Sequence, residues 1–366
     1  MRLSRSFALP RRWMAVVKRN LKTRTHNVNM LVETSLETET PQVLPVSVAA
    51  VIVNYGTAEL VVQCLDSLQE TRNECDHLQV YVVDNASSDN SVEEIQAAIS
   101  ERGWSEWVEL MCAPSNGGFA FGNNVGIRRA LAGEDPSMGA VWLLNSDTIV
   151  RRGALESLLQ ALETHPQAGI VGSRLEDRDG TSQRSAFRFQ TIGREWARGL
   201  NLGLWFKLFP GAEVAPVQVD QEYETDWLAG ASMLIRREVI DDTGLLDEGY
   251  FLYYEEVDYC LRAARQNWRT VYVPTSRVVH LVGQSSGVTS RDADHRRLPK
   301  YWYESRARFF TQNYGKMSRI LADISWLTGH LLYRGRCFLQ RKSITFPKYM
   351  VRDFVRFNFW WPSRVG

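Results

Sequence analysis

Three carboxylates fall within four positions at Glu255, Glu256 and Asp258, with tyrosines at 253, 254 and 259 around them. At a helix start such acids complement the positive end of the helix dipole, and that alone would account for them. A carboxylate partly desolvated among aromatic rings has a second use: its raised basicity suits it to take a proton from a sugar hydroxyl. Upstream, Asn145-Ser146-Asp147 has the form of an Asp-x-Asp element with Asn in the first place. A hard divalent cation on a diphosphate needs one or two protein oxygens and takes its other ligands from phosphate and water, so Asp147 is a candidate ligand. Asp84 closes an apolar run, where a carboxylate has little structural use but can accept hydrogen bonds from a nucleobase or ribose. His280 closes another such run, and a lone histidine at a strand end is more often packed than ligating.

The stretch Asn116–Gly126 has glycines at 117, 118, 122 and 126, which permit close backbone approach. Their spacing misses the G-x-G-x-x-G of dinucleotide sites, and no Gly-Lys-Ser/Thr follows. Both standard phosphate fingerprints are absent, which sets aside a dehydrogenase and an ATPase.

The elements that must position these residues are legible. Val46–Tyr55, Gln79–Asn85, Val108–Ala113, Ala140–Asn145 and Ala168–Arg174 are short apolar runs of the kind that form buried parallel strands. Helical spacing follows the first four, over 60–68, 92–102, 119–132 and 153–164. Thr57 offers an N-cap, and Ser91 with Glu94 a capping box. The alternation predicts an α/β fold with a mostly parallel sheet and helices on both faces. Ligands of such sheets sit beyond the carboxyl ends of the strands. Asn54-Tyr55, Asp84-Asn85, Asn116-Gly117-Gly118 and Asn145-Ser146-Asp147 stand there. Such residues also form ordinary turns, but four polar ends on one sheet point to a ligand. Residues 176–224 read as irregular. Regular structure returns over 227–236, as a helix over 255–267 and as a strand over 270–280.

The chain has 366 residues, 44% of them hydrophobic, which supplies a core and excludes a wholly disordered protein. Its formal net charge of +1 argues against a nucleic-acid partner, but the total hides an arrangement. Residues 1–25 hold eight basic residues and no acid, and residues 316–366 hold ten basic residues against Asp323 and Asp353. The stretch between them carries −15. Five scattered cysteines (64, 75, 112, 260 and 337) lack any C-x-x-C pair and fit a reducing compartment. No uninterrupted apolar run reaches membrane-spanning or signal-peptide length, so a cytosolic location is the expectation.

With these residues assembled, the sequence resembles the family 2 inverting glycosyltransferases of the GT-A fold, most of all a bacterial rhamnosyltransferase-like group that builds surface polysaccharides. The likeness runs from about Val46 to Gly315 and rests on seven ordered stretches. They are Val-Ile-Val-Asn-Tyr (51–55), Val-Val-Asp-Asn-Ala-Ser-Ser-Asp (82–89), Asn-Gly-Gly-Phe-Ala-Phe-Gly-Asn-Asn-Val-Gly (116–126), Leu-Leu-Asn-Ser-Asp (143–147), Asp-Trp-Leu-Ala-Gly-Ala (226–231), Tyr-Glu-Glu-Val-Asp-Tyr-Cys-Leu-Arg (254–262) and His-Leu-Val-Gly-Gln-Ser (280–285).

The resemblance implies roles. Asn54, Tyr55 and Asp84 would hold the base and ribose of a sugar nucleotide. Asn116, Gly118 and Asn123, with Asn145 and Ser146, would line the donor pocket. Asp147 and His280 would bind Mg²⁺ or Mn²⁺, and Trp227 and Gly230 would border the acceptor. The family's base is usually the second acid of a Glu-Asp pair, which falls here on Glu256, with Asp258 as the other candidate. The implied reaction is a single displacement with inversion. It would move L-rhamnose from dTDP-rhamnose to a hydroxyl of a glycan or lipid-linked glycan, with UDP and GDP donors also open. The implied layout is a basic extension over 1–45, a donor-binding half over 46–175, an acceptor and catalytic half over 176–300, and a basic aromatic helical region over 301–366. A non-catalytic member of a glycan-assembly complex would not need the acids at 84, 147 and 256. A nucleotidyltransferase would carry a Gly-rich basic signature near the first strand, which Asn54-Tyr55-Gly56-Thr57 lacks. Aromatics mixed with Lys and Arg after 316 suit the interface of an anionic membrane, which places the protein on the inner face of the cytoplasmic membrane. A helical appendage packed on the catalytic region is the other reading of that tail.

Overall fold

A computed structural model describes residues 47–74, 77–133, 137–281 and 297–360. The basic extension over 1–45 and positions 282–285 of the last motif lie outside the described residues.

The first half alternates as expected: β1 (Ser47–Asn54), α1 (Ala58–Glu74), β2 (Leu78–Asp84), α2 (Ser91–Glu101), β3 (Val108–Cys112), α3 (Gly118–Leu131), β4 (Met138–Asn145), β5 (Thr148–Val150), α4 (Ala154–Thr164) and β6 (Ala168–Glu176). The second half holds β7 (Ala186–Phe187), α5 (Ile192–Leu200), α6 (Gly203–Leu208), β8 (Tyr223–Thr225), β9 (Trp227–Leu228), β10 (Ser232–Arg236), α7 (Arg237–Thr243), α8 (Glu255–Arg265), β11 (Arg269–His280), α9 (Lys300–Leu339) and α10 (Met350–Val355). Among the described residues, nine strands form one sheet in the order β3-β2-β1-β4-β10-β6-β11-β5, with β8 on β11. The ladders of β1 with β2 and β4, of β2 with β3 and of β6 with β11 are parallel. β10 enters antiparallel between β4 and β6, which keeps those two strands in one direction.

Alternation along β1 explains the continuous apolar run. Ala50 and Ile52 face Val61, Leu65 and Ile95 of α1 and α2, while Ala49 and Val51 face Ala120 and Ile127 of α3. Both faces are buried, so both positions of the pleat are apolar. Gly126 lets α3 settle directly on Val51, since a Cβ there would meet that side chain.

The caps match expectation in part. Thr57 takes the cap position of α1, its carbonyl accepting from the Leu60 and Val61 N–H groups, but its hydroxyl donates to Asn54 Oδ1 at 2.9 Å. Ser91 is the first residue inside α2 and donates to Asp89 Oδ1 at 2.6 Å, so no capping box forms and Asn90 takes the cap position.

The 176–224 stretch is more ordered than its sequence suggests, because α5 is completed from far away. Glu195 on α5 is buried and accepts from Arg306 Nε and Nη2 at 3.0 and 2.7 Å. Arg306 is itself fully buried and also pairs with Asp323. Gly199 and Gly329 let the backbones of α5 and α9 touch.

α9 breaks at Gly315, whose φ of 85° leaves the helical region. Before the break it buries Tyr303, Phe309 and Phe310, and after it Trp326, which stacks on Phe354 at 4.2 Å. Much of the tail's aromatic content is therefore spent on packing. Trp326 and Phe354 are fully buried, and Phe346 and Phe357 pack beside them as half-buried neighbours.

Candidate active site

The carboxyl ends of β1 and β4, the loops after β2 and β3, the start of α8 and the end of β11 open on one cavity of about 400 Å³. Tyr55, Asn116, Gly118, Asn145, Ser146, Asp147, Gly230, Glu256 and His280 line it. Asn54, Asp84, Asn123, Trp227 and Asp258 do not.

Asn54 and Asp84 lie one layer beneath the cavity rim, both buried. Asn54 Nδ2 donates to Asp84 Oδ2 at 2.8 Å, and Ser87 donates its N–H and hydroxyl to Asp84 at 2.9 and 2.6 Å. The pair therefore shapes the 84–87 turn. Asn85, next in sequence, reaches the wall and straps the following loop: its Nδ2 donates to Asn116 Oδ1 and to the Gly118 carbonyl, each at 3.0 Å. Gly118 has φ +87°, and a Cβ there would collide with the Phe251 carbonyl, to which Phe119 N–H donates at 2.8 Å. Asn123 turns inward along α3 and donates to the Phe119 carbonyl at 2.9 Å.

The turn between β4 and β5 carries Asp147, and pairing of β5 with the end of β11 brings His280 beside it. Leu281 N–H donates to the Asp147 carbonyl at 2.8 Å, and Asp147 Oδ1 lies 3.4 Å from His280 Nε2. Two ligands held about 2.1 Å from a shared cation stand about 3.0–3.4 Å apart, and a carboxylate oxygen with an imidazole nitrogen suits Mg²⁺ or Mn²⁺. The pair thus fits a cation that takes its remaining ligands from a diphosphate. Among the described residues no group of three or more His, Cys, Asp or Glu could hold a metal, so this pair would need them. Asn145 supplies no carboxylate; its Nδ2 lies 3.4 Å from His280 Nε2. Gln183, which no sequence signal marked, stands behind the ring with Oε1 3.3 Å from Nδ1.

Across the cavity, Tyr253 and Tyr254 both have φ of 70°, a strained left-handed conformation for such side chains. This turn delivers the first two residues of α8 to the cavity. Burial, reinforced by the neighbouring Glu256, pushes the Glu255 carboxyl well above its ordinary range. Burial also raises Glu256 to about 7, against the pull of the Glu256 and Val257 backbone N–H groups. Oε2 of each acid has no hydrogen-bond partner among the described residues. Asp258 faces away: it pairs with Arg262 Nε at 2.8 Å and accepts from Asn313 Nδ2 at 2.7 Å. Trp227 is buried on β9, stacked on Phe187 at 4.1 Å with Nε1 donating to the Arg188 carbonyl. Gly230 stands in the wall beside Phe119 and Glu256.

Phe251, Tyr253 and Tyr301 form an aromatic side, of which the sequence reading named Tyr253 alone, as a neighbour of the acids. The first two flank the acids, a visible signal, but Tyr301 comes from α9. The ensemble sets a carboxyl of raised pKa and the Asp147–His280 pair in the lining of one largely apolar cavity.

The chain matches the model of the glycosyltransferase like family 2 over residues 45–298. The N-acetylglucosaminyl-diphospho-decaprenol L-rhamnosyltransferase of Mycobacterium tuberculosis is 28% identical over 226 residues, 57% of this chain and 68% of that protein. Rhamnosyltransferase WbbL of Escherichia coli is 25% identical over 169 residues, 45% of this chain and 62% of that one. Among solved structures, a mannosyltransferase of Pyrobaculum calidifontis in complex with GDP-Man and Mn²⁺ shares the fold, with a TM-score of 0.50 at 17% identity over 81% of this chain and 76% of that one.

Proposed function

The chain belongs to glycosyltransferase like family 2, and on that premise we propose that it moves L-rhamnose from dTDP-rhamnose to a hydroxyl of a glycan or lipid-linked glycan in cell-surface polysaccharide synthesis. One observation carries the reading: the desolvated Glu256 and the Asp147–His280 pair open into the same cavity. The names of the two relatives favour rhamnose. That of the mycobacterial protein includes a lipid diphosphate acceptor, which supports a place at the inner face of the cytoplasmic membrane.

Glu256 takes the acceptor proton as the hydroxyl oxygen attacks the anomeric carbon, and a single displacement inverts configuration. Gly230 beside it leaves room for the acceptor. Asn54 and Asp84 hold the turn that receives the base and ribose, with Tyr55 at the rim. Asn116 and Gly118 border the donor, and Asn145 and Ser146 its diphosphate end. Asp147 and His280 would hold Mg²⁺ or Mn²⁺, which when bound neutralises the departing diphosphate. Phe251, Tyr253 and Tyr301 restrict the water that would compete with the acceptor.

The test is release of nucleoside diphosphate from dTDP-rhamnose and from UDP- and GDP-sugars in the presence of Mn²⁺. Turnover of dTDP-rhamnose above the others is expected. Turnover of a UDP- or GDP-sugar alone would overturn the donor assignment.

A further inference from the structure

Past Gly315, α9 is apolar on two sides. One side packs Ala322, Trp326, Tyr333 and Cys337 against the rest of the protein. The other carries Met317, Leu321, Ile324, Leu331 and Phe338 at steps of four, three and seven residues, one continuous stripe on a helix. Ile320, Leu332 and Leu339 widen it. All eight are exposed, Met317 by 68% and Phe338 by 85%. A helix bound only by its inner side carries polar residues outside, so a large apolar stripe marks a docking face.

Charge selects the occupant. The acids of the segment, Asp323 and Asp353, are buried, the first against Arg306 and the second on Arg297 at 2.6 Å. Every exposed side chain described between 316 and 360 that is charged at neutral pH is therefore basic, with Lys316 just before the stripe, Arg334 within its span and Arg341 and Lys342 at its end. A second copy of this face would bring like charges together, and so would the stretch 1–25 with its eight basic residues and no acid. Anionic headgroups complement the basic groups while acyl chains receive the apolar stripe. No described helix is long and apolar enough to cross a membrane, so the arrangement is that of a helix lying in the interface. Arg336 donates to the Asn201 carbonyl at 2.7 Å and so brings α6, with exposed Leu204 and Leu208, to the same end of α9.

We propose that the outer face of α9 after Gly315 lies on an anionic lipid surface, which deepens the membrane placement given above and rests on it for its setting. The test is flotation of the full chain with phosphatidylcholine vesicles with and without phosphatidylglycerol. The wild type should float with the anionic vesicles and stay behind with the neutral ones. Ile324→Glu/Leu331→Glu should lower anionic partitioning at least about ten-fold, since each position loses a buried aliphatic side chain. Both sites are exposed, so thermal unfolding and lipid-free donor turnover of the double variant should stay unchanged. Equal flotation of variant and wild type would overturn the proposal. So would a wild type that floats with neither vesicle but is dimeric in sedimentation velocity where the variant is monomeric. A wild type that floats as expected yet turns over no donor would leave the docking face standing and overturn the transfer reading.

Discussion

Gln183 grips His280 at two points: its Nε2 donates to the His280 carbonyl at 2.8 Å, and its Oε1 lies 3.3 Å from the ring Nδ1. The same Nε2 also donates to Asp177 Oδ1 at 2.9 Å, so both amide hydrogens are engaged and Oε1 must face the ring. Nδ1 then carries the proton, and Nε2 is left bare toward Asp147. Such outer partners typically change metal affinity 10–100-fold when removed. Gln183→Leu should accordingly weaken Mn²⁺ binding by about that factor, measured calorimetrically with a nucleoside diphosphate present. An unchanged Mn²⁺ affinity would remove His280 from the ligand set.

Glu256→Gln should lower turnover about 10²–10⁴-fold and leave donor affinity intact. Acting as a base, Glu256 would work as the carboxylate. Because burial raises its pKa to about 7, the wild-type rate should climb as pH rises through about 7 and then level off. A rate already flat from pH 5 upward would assign the proton to another group.

The same desolvation works against folding. Glu255 is held well above its ordinary range, so the stability tied to its protonated form is complete below the unfolded carboxylate pKa and is lost as pH rises through the folded one. Glu255→Gln should raise the melting temperature near pH 8 and leave it unchanged near pH 4, as read by calorimetry. A loss of stability at high pH would mean that the ionised pair is favourable in the fold.

At Gly118 the backbone has φ +87° and touches the Phe251 carbonyl. Gly118→Ala should cost about 2–4 kcal/mol of stability and displace the 251–254 turn, with donor affinity falling alongside. Wild-type values in both denaturant unfolding and donor titration would refute this packing.

Removing Arg306 takes the buried partner from Glu195 and Asp323 and leaves them Arg198 at 3.0 Å and Arg319 at 3.6 Å. Arg306→Met should cost about 3–5 kcal/mol, and more at neutral pH than in mild acid, where the two carboxylates can be protonated. Equal losses at both pH values would indicate that Arg198 and Arg319 suffice to keep both acids ionised.

The strands were readable because a parallel strand buried on both faces has to be apolar throughout, as Val48 to Ile52 are. The polar strand ends were readable for the converse reason. That Glu256 lines the cavity and Asp258 does not was visible only in the helix itself: two positions turn the side chain about 200° about the axis, from the cavity to Arg262. The resemblance put Trp227 at the border of the acceptor, yet its ring is buried and stacked on Phe187. Gln183, Tyr301 and α5 left no local trace, because each owes its place to residues distant in sequence. Glu195, with Arg306 111 positions further on, is the clearest instance.

The family match ends at residue 298, but the cavity wall does not: Tyr301 stands in it, and Ser305 donates to the Leu252 carbonyl at 2.9 Å, beneath the turn that carries the acids. A cut at that boundary would remove a side of the pocket and take Phe309 and Phe310 with it, baring Tyr254, on whose ring Phe309 packs. The transferase core and its helical tail are therefore one inheritance unit. Recombination that traded tails between relatives would have to keep the 300–314 segment with its own core, and beyond Gly315 only outward positions such as Ile324 and Leu331 are free to diverge, because Asp323 and Gly329 still meet Arg306 and α5.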